Sequence, residues 1–451
     1  MGYIVASISR FSLGLMMVLY TIEAFRSLLM DTRSQEVRRL FNRQTVLIYL
    51  TLINGVIVLY VQQFDYKILL ASLAELGIIT AAMILYKYIY SGASYSLVNH
   101  MCMFLTIGFL MLVRLKFSLA KKQLMFCAIA LIFSAMIPVL FERFRFFKTI
   151  KWFYAIIGLG MLSVVTLLGN RTFGANLSIS VAGITIQPSE LVKIFFVFFV
   201  ASMLQVLPLE DRDPFRIHIH RPDFKIVFIT SCVAAAHVLV LVGAKDLGSA
   251  SIFFLCYLAM LYVATRKPGY FILGLGAFAL AALVGYRLFP HVQQRVEAWQ
   301  NPVKSFDGSG FQMSQSLFAI ASGGWFGSGL GQGMPDKIPV VTKDFIFAAI
   351  CEEFGGIYAL CLLLLCIAYF LAFMRISLRM RDPFYKIVAC GLGVTYAIQV
   401  VLMIGGVIKF IPSTGVTLPL VSYGGSSLLS TILMIAVIQG LYCRQSDREH
   451  L

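Results

Sequence analysis

The sequence predicts an all-α protein that crosses a membrane many times. Of its 451 residues, 59% are hydrophobic and only 13% are charged, whereas soluble domains have about 45–50% apolar and about 25% charged residues. A soluble fold of this length would leave large apolar areas facing water. The apolar residues also form long stretches, and a bilayer-spanning helix takes about 20 such residues. Because lipid offers the backbone no hydrogen-bonding partners, each stretch is expected to be helical.

Thirteen apolar windows along the chain are each predicted to span the bilayer once. They lie at about 4–30, 45–63, 67–90, 96–115, 122–141, 151–168, 188–207, 224–242, 247–265, 269–289, 346–374, 384–407 and 417–441. Loops rich in Lys and Arg stay in the cytoplasm. The distribution of these residues predicts an outer N-terminus and a cytoplasmic C-terminal tail at 442–451. The cluster Arg114, Lys116, Lys121 and Lys122 falls outside in this scheme and is its exception.

The composition also excludes several functional classes. The net charge of +16 is spread over short blocks between the windows, so it orients the spans and does not predict a nucleic-acid partner. The nine cysteines lie mostly in apolar stretches without paired spacing, which argues against a disulfide framework. No phosphate-binding G-x-x-x-x-G-K-[ST] segment occurs, so no nucleotide is expected. His218 and His220 have no carboxylate or cysteine at ligand spacing, so they do not indicate a metal site.

The chain divides into an additional N-terminal block at 1–95, with three windows, and a ten-window core at 96–441. Two connections in the core, 169–187 and about 290–345, are long and are predicted to face outside. Loops beyond about 12–15 residues are usually functional or disordered. The second connection is rich in aromatic residues, including Trp299, and is therefore expected to fold against the membrane surface and to hold the chemistry.

Glu190 and Lys193 lie within the window 188–207 and are three residues apart, on one face of a helix. A charge at the centre of a bilayer costs about 2.5–3.5 kcal/mol, so such residues are paired or functional. Two interpretations stay open: an internal ion pair that stabilises the bundle, or a pair that lines a polar cavity. Pro188 suits the first helical turn and Gln187 or Ser189 suits the adjoining cap, so the helix is expected to begin at the outer surface.

Two aspartates directly precede apolar runs on the outer side. Asp246 stands beside Lys245, and Asp344 precedes FIFAAI. A helix N-cap would explain either residue. Alternatively, Asp246 contacts a substrate and Asp344 is a general base at the outer face of the membrane. An N-cap position lowers the pKa of a carboxylate and burial raises it, so a useful base at Asp344 requires burial to outweigh capping.

Two segments with interrupted apolar patterns are further candidates. The glycine-rich segment 323–333, which includes Gly329 and Gly331, is either a flexible turn or a nest of amides that approaches a phosphate or sugar. The segment 411–427, which includes Ser422, breaks the pattern with proline and glycine before the last window. Broken helix at membrane depth lines a cavity or is buried in protein. This second segment is therefore a candidate binding loop or a packing turn.

Five segments occur in the order of a known family. They are QPSELVK at 187–193, KDLGSA at 245–250, GSGFQMSQSLFAIASGGWFGSGLGQG at 308–333, DFIFAAICEEFG at 344–355 and LPLVSYGGSS at 418–427. With them the chain resembles the shape, elongation, division and sporulation (SEDS) family, which includes FtsW, RodA and SpoVE. The resemblance covers about 96–441. It implies a ten-helix core in a bacterial cytoplasmic membrane and a role in cell shape or cell division.

The resemblance also implies an activity, peptidoglycan glycosyltransfer from lipid II at the outer face of the membrane, and a partner, a class B penicillin-binding protein. Asp344 matches the family's catalytic aspartate, and undecaprenyl pyrophosphate would be the leaving group. Cationic side chains or a divalent cation, Mg²⁺ or Mn²⁺, would stabilise the developing charge. The expected substrate-binding residues are Glu190, Lys193, Asp246, Arg287, Arg295, Gln312, Ser316, Gly329, Gly331, Lys337, Ser422, Gly424, Gly425 and Ser426.

Three positions depart from the family pattern. Asn176 begins a run that replaces a common Arg-Arg-Trp, Lys245 replaces a common proline, and Met403 replaces a common asparagine. These differences leave the role of the first outer connection open, as well as the choice among division, elongation and sporulation. Two other functions also stay open, a flippase that moves the lipid-linked precursor and a non-catalytic scaffold for a transpeptidase.

Overall fold

The computed structural model describes residues 2–30, 35–90, 93–144, 146–168, 170–172, 175–181, 184–207 and 222–449. His218 and His220 lie outside the described residues. The helices within the described ranges are α1 Gly2–Leu29, α2 Gln35–Gln63, α3 Tyr66–Ile84, α4 Tyr95–Leu115, α5 Phe117–Arg143, α6 Lys151–Leu168, α7 Pro188–Leu204, α8 Pro222–Gly243, α9 Leu247–Thr265, α10 Pro268–Leu288, α11 Pro290–Gln300, α12 Phe311–Gly323, α13 Ile346–Phe354, α14 Gly356–Arg379, α15 Pro383–Val407 and α16 Gly425–Glu449. A π-helical segment, Leu85–Ile89, continues α3.

The all-α prediction for the membrane-spanning part is confirmed, but the predicted count of thirteen spans is not. Eleven helices of the described chain are long and apolar enough to cross a bilayer. Helices α6 and α7 occupy the windows at 151–168 and 188–207, but with 18 and 17 residues they are shorter than each of these eleven helices. The window at 346–374 holds two helices, α13 and α14, because Gly355 adopts a left-handed φ of 88° between them.

Both long connections contain regular secondary structure in their described residues, and the second was predicted to be folded. The first contains three short strands, β1 Asn170–Thr172, β2 Ala175–Val181 and β3 Ile184–Ile186, in an antiparallel sheet of order β1-β2-β3. The second contains α11, α12 and a 3₁₀ turn at Pro335–Lys337.

The chain forms two compact units. The first comprises Met1–Pro138, Arg295–Ala372 and Val400–Leu451, and the second comprises Val139–Gln294 and Phe373–Gln399. In the first unit α4 is the central helix, and every residue from Ser96 to Val113 is buried. The additional N-terminal helices α1, α2 and α3 all pack on α4. They are therefore part of the same compact unit as the segments predicted to carry the chemistry.

Small residues and polar pairs explain why these helices approach α4 closely. A Cβ atom at Gly55 of α2 would lie 2.5 Å from Leu110 Cδ1 of α4, so a larger residue there would require the Leu110 side chain to move. Tyr20 Oη of α1 lies 3.0 Å from His100 Nδ1 of α4. Asn99 Nδ2 of α4 donates to Gln44 Oε1 of α2 at 3.0 Å. Such hydrogen bonds fix the register of helices that lipid alone would not hold together.

Candidate active site around Asp344

Asp344 lies in the turn before α13 but does not cap that helix. The N-cap residue is Phe345, and no side chain makes a capping hydrogen bond there. The N-cap interpretation of Asp344 is therefore wrong, because the turn places the aspartate one residue too early. Among the described residues none donates a hydrogen bond to its carboxylate. The side chain is half-buried, so its oxygens remain available to a bound molecule.

Arg295 of α11 and the loop around Gly415 form the surroundings of Asp344. A Cβ atom built on Gly415, whose φ is 74°, would lie 3.8 Å from Asp344 Oδ2 and 3.7 Å from Arg295 Nη2. Arg295 Nη1 also donates to the carbonyl oxygen of Ser413 at 3.2 Å. Trp299 Nε1 of the same helix donates to the carbonyl oxygen of Lys409 at 3.1 Å. Two side chains of α11 therefore hold the loop against the helix.

Burial dominates the electrostatics of Asp344. It raises the pKa of the Asp344 carboxyl from the ordinary value of 3.8 to about 6, although the positive charges of Lys343 and Arg295 lower it. The sequence left the balance between burial and capping open, and burial prevails because capping is absent. A carboxylate with a pKa of about 6 is ionised at neutral pH and is a stronger base than an ordinary aspartate.

The segment 417–424 is tied to the turn that carries Asp344. Ser422 Oγ donates to the carbonyl oxygen of Lys343 at 2.6 Å. The amide of Tyr423 donates to the carbonyl oxygen of Thr342 at 2.8 Å. Gln123 of α5 donates to the Ser422 carbonyl oxygen at 3.1 Å and accepts from the Gly424 amide at 3.3 Å. Ser422 and Gly424 are thereby placed as supports of the Asp344 turn, and Gln123 is a support that the sequence analysis missed.

The glycine-rich segment is a folded loop around a buried glutamate. The amide of Gly331 donates to Glu353 Oε2 at 3.0 Å, and the amide of Gly329 donates to the Glu353 carbonyl oxygen at 2.9 Å. Glu353 also accepts from Arg114 Nε at 2.9 Å. Burial raises the pKa of Glu353 to about 7, while Arg114 lowers it. The amides of Gly329 and Gly331 are thus engaged by Glu353 of the protein itself, the first by its carbonyl oxygen and the second by its carboxylate.

Arg114 explains one exception in the charge distribution. Besides Glu353, it contacts Asp336 Oδ2 at 3.3 Å and the carbonyl oxygen of Gly333 at 3.1 Å. Its charge therefore holds together the glycine-rich segment, the turn at Asp336 and Glu353. Sequence reasoning could not find this role, because Arg114 and Glu353 are 239 residues apart.

The additional N-terminal helices cover the same loop. Gln62 Nε2 of α2 donates to the carbonyl oxygen of Leu330 at 2.6 Å, and Arg10 Nη1 of α1 donates to that of Gly327 at 3.2 Å. A side chain at Gly331 would collide with Gln62. The block at 1–95 therefore contributes direct contacts to the loop that precedes Asp344.

The other predicted residues of the first unit have various placements. The Ser316 hydroxyl is fully buried and donates to the Val407 carbonyl oxygen at 3.2 Å, which favours a packing role. Gln312 Nε2 donates to the Pro339 carbonyl oxygen at 2.8 Å. Lys337 is exposed and Ser426 is half-buried. Gly425 begins α16 and packs against the Phe126 ring, where a Cβ atom would lie 2.5 Å from the ring.

In the second unit, Glu190 and Lys193 form the expected internal ion pair. Both residues are buried, and Lys193 Nζ lies 2.7 Å from Glu190 Oε2. The same nitrogen donates to Gln399 Oε1 at 2.7 Å. Helix α7 begins with Pro188 after the cap residue Gln187, as predicted. Arg287, near the end of α10, is exposed.

Asp246 is the N-cap of α9, as the first of its two interpretations predicted. Its Oδ1 accepts from the Ser249 amide at 3.0 Å, and its Oδ2 accepts from Gln187 Nε2 at 3.4 Å. Burial raises the pKa of Asp246, and the hydrogen bonds from Ser249 and Gln187 lower it. Both oxygens are therefore already engaged within the protein.

The three departures from the family pattern have distinct placements. Lys245 has a φ of 63°, a conformation closed to proline, whose ring fixes φ near −65°. The backbone at position 245 therefore has a conformation that lysine can adopt and the common proline cannot. Met403 is buried within α15. Asn176 lies in β2 opposite Arg171 of β1.

The described residues do not fit a protein-only site for a divalent cation. Among them, no group of three or more His, Cys, Asp or Glu side chains stands close enough to share one ion. Asp344 has two positive neighbours, Lys343 and Arg295, whereas Mg²⁺ in enzymes is usually bound by one or two carboxylates together with substrate phosphates.

Comparisons with known proteins agree on one family. The family model described as "Cell cycle protein" (FtsW, RodA, SpoVE) matches residues 95–445. "Peptidoglycan glycosyltransferase RodA" of Mycobacterium tuberculosis is 33% identical over 326 residues, which cover 71% of this chain and 69% of the relative. "Stage V sporulation protein E" of Bacillus subtilis is 33% identical over 327 residues, which cover 71% and 86%.

Solved structures share the fold. A chain from a structure of "a peptidoglycan synthase complex" has a TM-score of 0.63 at 23% identity, covering 78% of this chain and 97% of that one. The rod shape determining protein RodA of Thermus thermophilus has a TM-score of 0.57 at 22% identity, covering 78% and 96%.

Proposed function

The chain belongs to the cell cycle protein family of FtsW, RodA and SpoVE, and we propose that Asp344 is the general base with which it polymerises lipid II. The protein is a multi-pass membrane protein and a peptidoglycan glycosyltransferase, the class of its curated relatives. It acts at the outer face of the bacterial cytoplasmic membrane, with its N-terminus outside and its C-terminus in the cytoplasm. This orientation places the turn of Asp344 on the side where the substrate sugars lie.

The proposed reaction joins two lipid-linked sugars. The Asp344 carboxylate removes the proton from the 4-hydroxyl of the acceptor sugar as that oxygen attacks the anomeric carbon of the donor. The bond between the anomeric carbon and the pyrophosphate oxygen breaks, and undecaprenyl pyrophosphate leaves with the electron pair. The lipid pyrophosphate carries the activation, so the reaction needs no nucleotide.

One observation carries the proposal: Asp344 is a half-buried carboxylate that no described residue engages by a hydrogen bond. Burial raises its pKa to about 6, close to the operating pH, where general bases work best. By contrast, Asp246 and Glu353 accept hydrogen bonds from the protein through both carboxylate oxygens. Asp344 is therefore better prepared to accept a proton than Asp246 or Glu353.

Positive charges would stabilise the leaving pyrophosphate. Arg295 reaches the surroundings of Asp344, and the exposed side chain of Lys337 in the same unit is proposed to assist. Mg²⁺ or Mn²⁺ suits this reaction as a ligand of the substrate's pyrophosphate oxygens and not as a resident ion of a carboxylate cluster. Elemental analysis of the purified protein should accordingly find no stoichiometric metal, and a tightly bound ion would contradict this assignment.

Two partners complete the proposal. Lipid II is the substrate, with undecaprenyl chains that lie in the bilayer. A class B penicillin-binding protein, which crosslinks the new strands, is the protein partner. Polymer length and rate should both be measured with and without the cognate transpeptidase, because a partner that stabilises the active conformation raises the rate without adding catalytic groups.

Purified protein and labelled lipid II provide the test. The wild-type chain should produce glycan strands, and Asp344→Ala should produce none while remaining folded and monodisperse. Asp307→Asn is the matched control, because Asp307 is an exposed carboxylate of the same connection. A flippase would move lipid II across vesicle membranes without making polymer, and a scaffold would do neither. Full polymerisation by Asp344→Ala would refute the proposal.

A further inference from the structure

A cavity of about 350 Å³ lies within the first unit, among the N-terminal turns of α2, the end of α3 and the start of α4. Sites for small molecules typically measure about 300–1,000 Å³. The three helix ends meet on one side of the membrane, because α2 and α3 run in opposite directions and α4 follows α3 after a short connection. The proposed polymerisation reaction gives this cavity no role.

Polar side chains in the deep part of the cavity form hydrogen bonds within the protein. Tyr49 Oη and Thr80 Oγ1 lie 3.0 Å apart, which closes the inner end between α2 and α3. On one wall the rings of Phe41 and Tyr95 meet edge to face at 5.8 Å. Another wall is formed by Asn99, which donates to the Phe41 carbonyl oxygen at 3.2 Å. Because these groups satisfy one another, the remaining interior suits hydrocarbon better than a polar ligand.

Apolar side chains continue from this interior to the lipid-facing surface. Val46 of α2 and Ile84 of α3 line the cavity and are 54% and 49% exposed. A chain that enters between them would remain in contact with the bilayer. The cavity is therefore a groove that a lipid can enter sideways, without crossing water.

The mouth of the groove is positively charged. Arg38 of α2 and Lys87 of the π-helical segment line it and are exposed. No Asp or Glu occurs among the described residues that line it. Guanidinium and ammonium groups are the side chains that best bind phosphate oxygens. The π-helical geometry around Lys87 is uncommon and is often found at functional positions.

The length of the groove matches one leaflet of a bilayer. Arg38 and Tyr49 are eleven residues apart on α2, which at the helical rise corresponds to about 16 Å. Half of the hydrocarbon core is about 15 Å thick. A ligand with its phosphate at Arg38 and Lys87 can therefore extend one acyl chain to Tyr49, near the middle of the membrane.

We propose that this groove binds one anionic phospholipid, with its phosphate between Arg38 and Lys87 and an acyl chain along α2 and α3. Basic pockets between membrane helices commonly recognise anionic headgroups. The bound lipid fills the space beside α4 and stabilises the packing of the additional helices on it. This proposal is independent of the polymerisation mechanism.

Native mass spectrometry of the full chain, released from nanodiscs of defined composition, tests the proposal. One palmitoyl-oleoyl phosphatidylglycerol should remain bound per protein, and phosphatidylcholine with the same acyl chains should not. The double variant Arg38→Gln/Lys87→Gln should reduce phosphatidylglycerol retention at least tenfold. The control Arg39→Gln/Lys67→Gln removes the same charge from exposed positions outside the groove and should retain the lipid.

A second variant separates a seated lipid from diffuse attraction to charge. Thr80→Trp fills the inner end of the groove and leaves both cations in place, so it should also lose the retained lipid. Equal retention of the two lipids by the wild-type chain would overturn the proposal. Undiminished phosphatidylglycerol binding in the charge variant, or equal loss in the charge control, would overturn it as well.

Discussion

Asp246 and Asp344 look alike in the sequence and differ in the structure. Each precedes an apolar helix on the predicted outer side, each is half-buried, and burial raises the pKa of each. Asp246 caps its helix and uses both oxygens in hydrogen bonds. Asp344 precedes the cap by one residue, and no described residue donates to it. The structure thus distinguishes a helix cap, Asp246, from a carboxylate that no described residue engages by a hydrogen bond, Asp344.

The largest expected effect is on the polymerisation rate, when each aspartate is changed to asparagine in a separate variant. Asparagine caps helices as well as aspartate but cannot take up a proton as a carboxylate does. Asp344→Asn should therefore lower the polymerisation rate by about 10²- to 10⁴-fold, whereas Asp246→Asn should stay within a few-fold of the wild type. Initial rates with labelled lipid II measure both. If both variants lost a similar fraction of the polymerisation rate, the assignment of Asp344 as base and Asp246 as cap would be wrong.

A smaller effect is expected at Arg295, whose positive charge lowers the pKa of Asp344. Arg295→Gln should move the acidic limb of the pH–rate profile to higher pH and reduce the rate at pH 7 several-fold. Lys304→Gln removes an exposed positive charge from the same connection and is the matched control. If Arg295→Gln had the same acidic limb as the wild type, the charge of Arg295 would not be acting on the Asp344 carboxyl.

The smallest effects concern stability: removing the ionised carboxylate is expected to stabilise the fold at Asp344, and removing the capping side chain is expected to destabilise it at Asp246. The pKa of Asp344 is about 6 in the fold and 3.8 ordinarily, so the folded chain binds more protons between these values. Its free energy of unfolding therefore decreases as pH rises from about 4 to about 6. Asparagine does not ionise, so Asp344→Asn should melt at a higher temperature than the wild type at pH 7.

Asp246→Ala should instead lose about 1 kcal/mol of stability through the missing cap, whereas Asp246→Asn keeps a capping side chain and, because burial also raises the pKa of Asp246, should be at least as stable as the wild type at pH 7. Thermal unfolding in detergent at pH 4.5 and pH 7 measures all three variants. If Asp344→Asn melted below the wild type at pH 7, the carboxylate would be stabilising the fold and not held at a cost for function.

The sequence predicted local features well and long-range partners poorly. The Glu190–Lys193 pair and the Asp246 cap are short-range patterns, and both are confirmed. The apolar run at 346–374 concealed a break at Gly355, although the Gly-Gly pair at 355–356 is a turn signal that could have revealed it.

The features that the sequence did not predict depend on contacts between segments that are far apart in the chain. The burial of Asp344 depends on its position beside Arg295 and the loop around Gly415, which no local pattern encodes. Arg114 looked like a misplaced topology signal and proved to be the partner of Glu353. The additional helices looked separate because they carry no motif, yet they surround α4 and touch the glycine-rich loop.

The pH dependence of glycan polymerisation tests the central claim most directly. If ionised Asp344 is the base, the rate at lipid II concentrations well below KM should fall to half near pH 6, because kcat/KM follows the pKa of the free enzyme and the pKa of Asp344 is raised to about 6. The residual rate of Asp344→Asn should lack this acidic limb. A wild-type rate that is unchanged between pH 5 and pH 8, or the same limb in Asp344→Asn, would show that another group removes the proton.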